Sequence, residues 1–251
     1  MTHQNAFKQI RSFYKRRGLR SLIYVGIKKV LFWTIIDQLN YLRAGKPATF
    51  SFEQKTYTYF FHAYNVTFDS ERAVEVPIIC DVLRDYKEKN VLEVGNVLSH
   101  YFDVNHDIVD KYEKGKSIIN QDIIDFQPDT VYDLIVSIST LEHVGWDEHP
   151  YDTPGEYLDQ PDKVLFVVQH LKKLLKPRGQ LIFTVPLGSN QHLDKLLRAD
   201  RFQLTRILYL KRISKDNRWE QVDNEAVQKV KYGVPFPGAN GLAIGIFTAH
   251  A

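Results

Sequence analysis

Residues 90–101, NVLEVGNVLSHY, restrict the fold of this chain more than any other stretch. A short apolar run, Val91 and Leu92, meets an acid, Glu93, then Val94 and Gly95, and helix-compatible sequence follows. Such a run, bounded by a turn residue, reads as a buried strand feeding a tight turn and then a helix. In a doubly wound α/β fold, a nucleotide-like ligand lies in the crevice outside the strand's carboxyl end, where glycine permits close backbone approach.

The remaining sequence repeats strand and helix in step. Asp107–Asp110 reads as a second strand that ends in an acid, and residues 116–124 as a weaker third around Ile118 and Ile119, followed by Asp122. The strongest strand signal is DLIVSI at 133–138. Residues 162–175 are apolar at helical spacing, with Lys172, Lys173 and Lys176 near the end where cations suit the helix dipole. Pro177 and Gly179 are expected to stop that helix before a strand at 180–185. Two more strands are expected near 204–212 and 242–248, and a short helix at 97–102. Ahead of the opening strand, residues 48–66 alternate aromatic and polar side chains around Glu53-Gln54-Lys55, which reads as a hairpin. Asp69 and Ser70 offer caps for a helix from Glu71 that Pro77 should kink or restart.

With 251 residues the chain fits one α/β domain and an extension, divided here as 1–47 and 48–251. Its net charge of +3 hides an asymmetry: residues 1–46 hold ten Lys or Arg against Asp37 alone, so the rest carries −6. That segment reads as a basic amphipathic helix interrupted near Gly18, and Lys28 and Lys29 keep its apolar run below the roughly 18 residues of a membrane span. Either it lies peripherally on a membrane, with Phe32 and Trp33 inserted, or it covers the domain or a dimer interface. The single cysteine, Cys80, excludes an intrachain disulfide framework and suits a reducing compartment. No clean signal peptide is evident, so a cytoplasmic location is expected, peripheral at the inner face of the membrane if the helix meets lipid.

In their order and spacing, VLEVG, the acid ending the next strand, the acid after the third, YDLIVSISTLEHV and HLKKLLKPRGQLIFTVP resemble the class I S-adenosylmethionine-dependent methyltransferases. The resemblance covers about residues 70–190 and is closest to the type 11-like branch, in particular to members that accompany glycan-assembly genes. It implies a Rossmann-like, doubly wound, seven-stranded and mostly parallel sheet, with S-adenosylmethionine as cofactor. On this resemblance Glu93 and Gly95 belong to the first cofactor motif, although Asn96 and Ser99 stand where further glycines often sit. Asp110 matches the acid that takes both ribose hydroxyls, while Asp122 and the backbone N–H of Ile123 match the adenine contacts. Tyr112 either stacks on adenine or is an ordinary half-buried tyrosine, and Arg72 meets either the cofactor carboxylate or Glu71 and Glu75.

Ser139, Thr140, Glu142 and His143 follow the fourth strand, where the transferred methyl should point. Ser139 is taken as a cofactor contact and His143 as a general base, its near-neutral intrinsic pKa suiting that work, or as a structural histidine at a helix start. His100 is a weaker rival for the base. Trp146, Asn190 and His192 are candidates for holding the acceptor, and no ligand spacing supports a metal at Asp147, His149 and Asp152.

The implied activity is O-methylation of a sugar in a surface glycan or its precursor, or of another small-molecule acceptor. The alternative is a nonenzymatic S-adenosylmethionine-binding or interaction module. A nicotinamide-dependent oxidoreductase is disfavoured by the absence of G-x-G-x-x-G after the first strand. Nucleic acid is not expected as a partner, because the arm is aliphatic as well as basic and the body is acidic. If the arm meets lipid, deleting residues 1–46 abolishes co-sedimentation with anionic vesicles; unchanged sedimentation would remove the membrane contact.

Overall fold

The structure, a computed structural model, describes residues 49–62, 64–146 and 160–251. The basic extension, its boundary at residue 47 and the loop residues 147–152 lie outside these described residues. No helix among the described residues is long and apolar enough to cross a membrane.

The chain enters through a hairpin, β1 (Thr49–Phe52) and β2 (Lys55–Thr58), paired antiparallel. Its two-residue turn, Glu53 and Gln54, has both φ angles positive, the geometry that matches the twist of a hairpin. Helix α1 (Arg72–Arg84) follows and runs through Pro77 without restarting. Proline cannot donate to the carbonyl four residues back, Ala73 O; that oxygen instead accepts from Phe60 N at 2.9 Å. The expected caps are absent: Asp69 pairs with Arg212, and no side chain caps the helix start at Glu71.

One eight-stranded sheet then organises the rest, in the order β5-β4-β3-β6-β7-β10-β8-β9. Its members are β3 (Val91–Val94), β4 (Asp107–Asp110), β5 (Ile118–Asn120), β6 (Tyr132–Ile138), β7 (Leu175–Pro186), β8 (Arg206–Arg212), β9 (Trp219–Val222) and β10 (Gly241–Thr248). Strands β3 to β7 pair in parallel, whereas β10 is antiparallel to both β7 and β8, and β9 to β8. This is the expected Rossmann-like doubly wound sheet, with β9 as an eighth strand that its short, polar WEQV sequence did not advertise. The chain winds outward from β3 through β4 to β5, then returns to place β6 on the other side of β3. The carboxyl ends of β3 and β6 therefore flank the topological switch point.

Alternation along the strands separates two apolar layers. On one face Leu92, Val94, Val109, Ile135, Leu181 and Phe183 pack with α2 (Lys163–Lys173) and α3 (Gln191–Arg198). On the other, Val91, Leu134, Val136, Ile138 and Ile182 pack with α1 and the hairpin residues Phe50 and Phe52. Each fully buried Val or Leu in these layers contributes about 1.5–3 kcal/mol.

Several boundaries differ from expectation. Residues 97–102 form only a 3-10 turn, Leu98–His100. Helix α2 stops at Lys173, before Pro177, and β7 already begins at Leu175. Leu174 and Leu175 are apolar enough to bury, so the strand starts there and Lys176–Gly179 bulge out of register with β6. Helix α3, amphipathic over only eight residues, was not anticipated.

Arg212 fastens the outer strands to the helix approach. Its guanidinium is fully buried and donates to Asp69, Ser214, Lys215 and Pro237, so a costly buried charge meets a full set of acceptors. Packing is equally tight within β10, where a Cβ at Gly245 would lie 2.4 Å from the Phe183 ring. Gly245→Ala is expected to cost about 1–3 kcal/mol in urea unfolding, as overpacked cores do.

Candidate functional site

The carboxyl end of β3 is built around two unusual residues. Gly95 has φ +85°, and a Cβ there would sit 2.2 Å from Thr140 Oγ1, so the turns after β3 and β6 touch with no room for a side chain. Glu93, fully buried on β3, holds the turn from inside. Its Oε1 accepts from Val97 N at 2.9 Å and Leu98 N at 2.8 Å, and its Oε2 lies 2.8 Å from His106 Nε2. Asn96 replaces the missing glycines with side-chain contacts: its amide donates to Glu113 Oε2 at 2.6 Å, and its oxygen accepts from Ser99 Oγ.

Asp110, at the end of β4, closes the same loop. Oδ2 accepts from Asn96 N at 2.9 Å, while Oδ1 accepts from Tyr112 N at 2.8 Å and Glu113 N at 2.7 Å. It thus organises a turn, yet stays partly exposed, and a carboxylate has about four acceptor positions. Glu113 is buried enough to be pushed up, but hydrogen bonds from His100 and Asn96 outweigh burial and lower its pKa. His100 also stacks on Tyr64, with ring centroids 4.4 Å apart. Tyr112 is exposed, with Lys111 Nζ 5.5 Å from its ring centre.

Beyond β5, Asp122 caps the 3-10 turn Ile123–Asp125 through Ile124 N. Its Oδ2 lies 2.8 Å from Lys163 Nζ and 3.0 Å from Lys111 Nζ. Burial alone would raise this carboxyl; the two lysines win and hold it below the usual range. Neither lysine was singled out from the sequence, since one lies before β5 and the other on α2, and nothing local links them. The Ile123 side chain is buried in the core.

At the end of β6 the backbone is strained. Ser139 has φ +40°, a left-handed value that L residues rarely adopt, and such outliers concentrate at functional sites. Its N–H donates to Thr184 O at 3.0 Å, and its hydroxyl donates to Glu75 Oε1 at 2.6 Å. Glu75, fully buried on α1, is paired in turn with Arg72 at 2.6 Å. Arg72 therefore meets Glu75, the second of its two expected kinds of partner. Burial by itself would lower the guanidinium, but the surrounding Glu75, Glu71 and Glu142 raise it further. The acid in RAVEVPII, interrupting an apolar helix face, was the available signal for Glu75.

Glu142 is a strongly perturbed carboxyl of the site. Its residue is 4% exposed, and Oε2 meets no hydrogen-bond donor among the described residues. Burial pushes it up to about 8, against smaller opposing pulls from His143 and Arg72. His143 belongs to the same one-turn 3-10 element, Leu141–His143, with a 58% exposed side chain whose Nε2 is 3.7 Å from Glu142 Oε1. Trp146 is also exposed.

The acceptor-side expectations fall on the loop after β7. Asn190 is buried as the cap of α3: its oxygen accepts from His192 N and Leu193 N, and its amide donates to Glu142 O at 2.8 Å. It thereby ties this loop to the β6 turn. His192 Nε2 lies 2.9 Å from Asp162 Oδ1. Among the described residues no group of three or more His, Cys, Asp or Glu is arranged to hold a metal ion.

No protein-family model matches the chain, and no curated protein is similar to it. Among solved structures it is similar to the N-methyltransferase NodS from Bradyrhizobium japonicum WM9, at 13% identity over 72% of this chain and 97% of that one, with a TM-score of 0.45. It is likewise similar to a SAM-dependent methyltransferase from Archaeoglobus fulgidus, at 14% identity over 68% of this chain and 93% of that one, with a TM-score of 0.42.

Because Glu142 binds its proton more tightly when folded, the folded chain holds the extra proton between the ordinary glutamate pKa of 4.5 and about 8. The associated stability is complete below that window and is lost as pH rises through about 8. Thermal melts from pH 5 to 9 should therefore fall in the wild type and flatten in Glu142→Gln, a difference on the order of a few kcal/mol at pH 9.

Proposed function

We propose that this chain is a methyltransferase that uses S-adenosylmethionine to methylate an oxygen, on a sugar of a surface glycan or its precursor. The observation that carries the reading is a convergence at the ends of three neighbouring strands: a side-chain-free turn at Gly95, Asp110 beside it, and Asp122 with Ile123 beyond. That row offers close backbone approach, an acceptor for paired hydroxyls, and an acceptor-donor pair suited to the edge of a nucleobase. When bound, S-adenosylmethionine supplies a methyl group on a positively charged sulfur, and the protein's work is alignment.

Each residue then has a part. Asp110 receives ribose hydroxyls on lone pairs left over from Asn96, Tyr112 and Glu113. Asp122 receives the base's amino group, with the lysine partners shifted to its far side, and Ile123 N–H donates to the ring. Glu93 acts through the loop, since both of its oxygens already hold protein donors. Ser139 contributes its backbone turn, its hydroxyl being donated to Glu75. His143, exposed at the β6 end, takes the acceptor's proton, and Trp146 and His192 border the acceptor. Asn190 supports this arrangement from beneath by fixing the Glu142 carbonyl.

Calorimetry or native mass spectrometry with S-adenosylmethionine tests the reading. We expect one equivalent to bind and Asp110→Ala to weaken it at least tenfold, about 1.4 kcal/mol. No mass shift or heat, or an indifferent Asp110→Ala, refutes it. With a panel of glycan acceptors, His143→Ala should cut turnover about 100-fold or more. Binding without turnover on any acceptor would favour a nonenzymatic module.

A further inference from the structure

The side chain of Glu142 has no part in the scheme above, yet it is buried with one oxygen unpartnered among the described residues. Around it stand Arg72 and Glu75 on α1, Glu71 at the start of that helix, His143 on its own turn, and Tyr232 on the loop before β10. Arg72 and Glu75 neutralise each other at 2.6 Å, so two acids, Glu71 and Glu142, are left over in one largely buried group. Burial, and then Glu75, raises Glu71 as well, against Arg72 and Arg212. Such a group is electrically neutral only while both spare acids keep their protons.

A buried carboxyl with an unmet oxygen demands a partner, since leaving it unpaired is costly and ionising it alone costs more. Position says what kind of partner. The strand order β5-β4-β3-β6 puts Asp122 and Asp110 on one side of Gly95 and Glu142 on the other, two residues past the Thr140 that touches Gly95. A ligand whose base lies toward Asp122 and which crosses Gly95 therefore brings its opposite end toward the β6 turn. A neutral donor can hydrogen-bond an ionised Glu142 but leaves its charge unbalanced, and an anionic end is repelled by it. A cation is stabilised, and the reading that S-adenosylmethionine binds here supplies an organic one, a sulfonium or an ammonium.

We propose that Glu142 is a charge-matching residue: its carboxyl is protonated in the empty site and releases that proton to solvent as a sulfonium or ammonium group enters beside it. The O–H bond of the carboxyl breaks, the proton goes to bulk buffer, and the carboxylate left behind pairs with the incoming positive charge, so total charge at the site is conserved. The inference rests on the reading that S-adenosylmethionine binds here, and adds to it that recognition of the charge is coupled to proton release. Tyr232, whose proton is held more firmly by burial and by Glu71 and Glu142, keeps it throughout.

Titration calorimetry of the full chain at pH 7, in buffers of different ionisation enthalpy, counts the protons released. Three probes separate the sources of charge: S-adenosylmethionine, the analogue with an amine in place of the methylated sulfur, and S-adenosylhomocysteine, whose sulfur is neutral. We expect most of one proton to be released with the first two and almost none with the third. Affinity for S-adenosylmethionine should rise close to tenfold per pH unit below 8 and level off above it. Equal release with all three probes would assign the effect to the amino-acid ammonium they share, still a cation beside Glu142. In Glu142→Gln the release and the pH dependence should both vanish; the wild-type proton count stands as a test even if that variant folds poorly. S-adenosylmethionine binding with no proton released, or release that persists in a folded Glu142→Gln, overturns the inference while leaving the reading intact. No heat with any probe overturns both.

Discussion

The buried carboxylate of Glu93 is the contact on which the candidate site depends. It sits in the middle of a strand, where an unpaired charge would be prohibitive, and it is tolerated because Val97 N–H, Leu98 N–H and His106 converge on it. Those three donors come from the turn after β3 and from the residue just before β4. One side chain thus fixes the exit of the first sheet strand relative to the entry of the second. Asp110 repeats the device from the next strand by taking Asn96 N–H. The loop between them is held by acids where glycines would otherwise allow it to fold tightly.

This accounts for how the chain departs from a glycine-rich turn without losing the turn. Asn96 and Ser99 carry side chains, and these are spent on Glu113 and on each other. Only at Gly95, against Thr140, is a side chain sterically excluded. A related economy appears at Pro77, where the carbonyl freed inside α1 is taken by Phe60, so a residue that breaks isolated helices instead links the helix to the segment after the hairpin.

Much of the sheet was legible because its parallel strands are buried on both faces and read as apolar runs: VLEV, DIVD and DLIVSI fall where the sequence places them. What was not legible depended on partners distant in sequence. Strand β9 is polar and exists because β8 offers it an edge. The start of β7 was hidden by Pro177 and Gly179, which sit in a bulge that local rules read as a stop. At the site, acids at strand ends were visible as acids, but not their company: Lys111 and Lys163 on Asp122, or Ser139 joining the expected Arg72–Glu75 pair. Asn190 looked like a loop residue free to meet a ligand, whereas capping α3 occupies it.

The two ends of the large sheet are also informative. It finishes on one side with β5, three residues long, and on the other with β9, four residues long and tied through Gln221 to the hairpin turn at Glu53. Neither margin presents the extended row of open backbone groups on which another polypeptide could be templated. Self-association by continuing this sheet from one molecule into the next is therefore disfavoured at both of its margins.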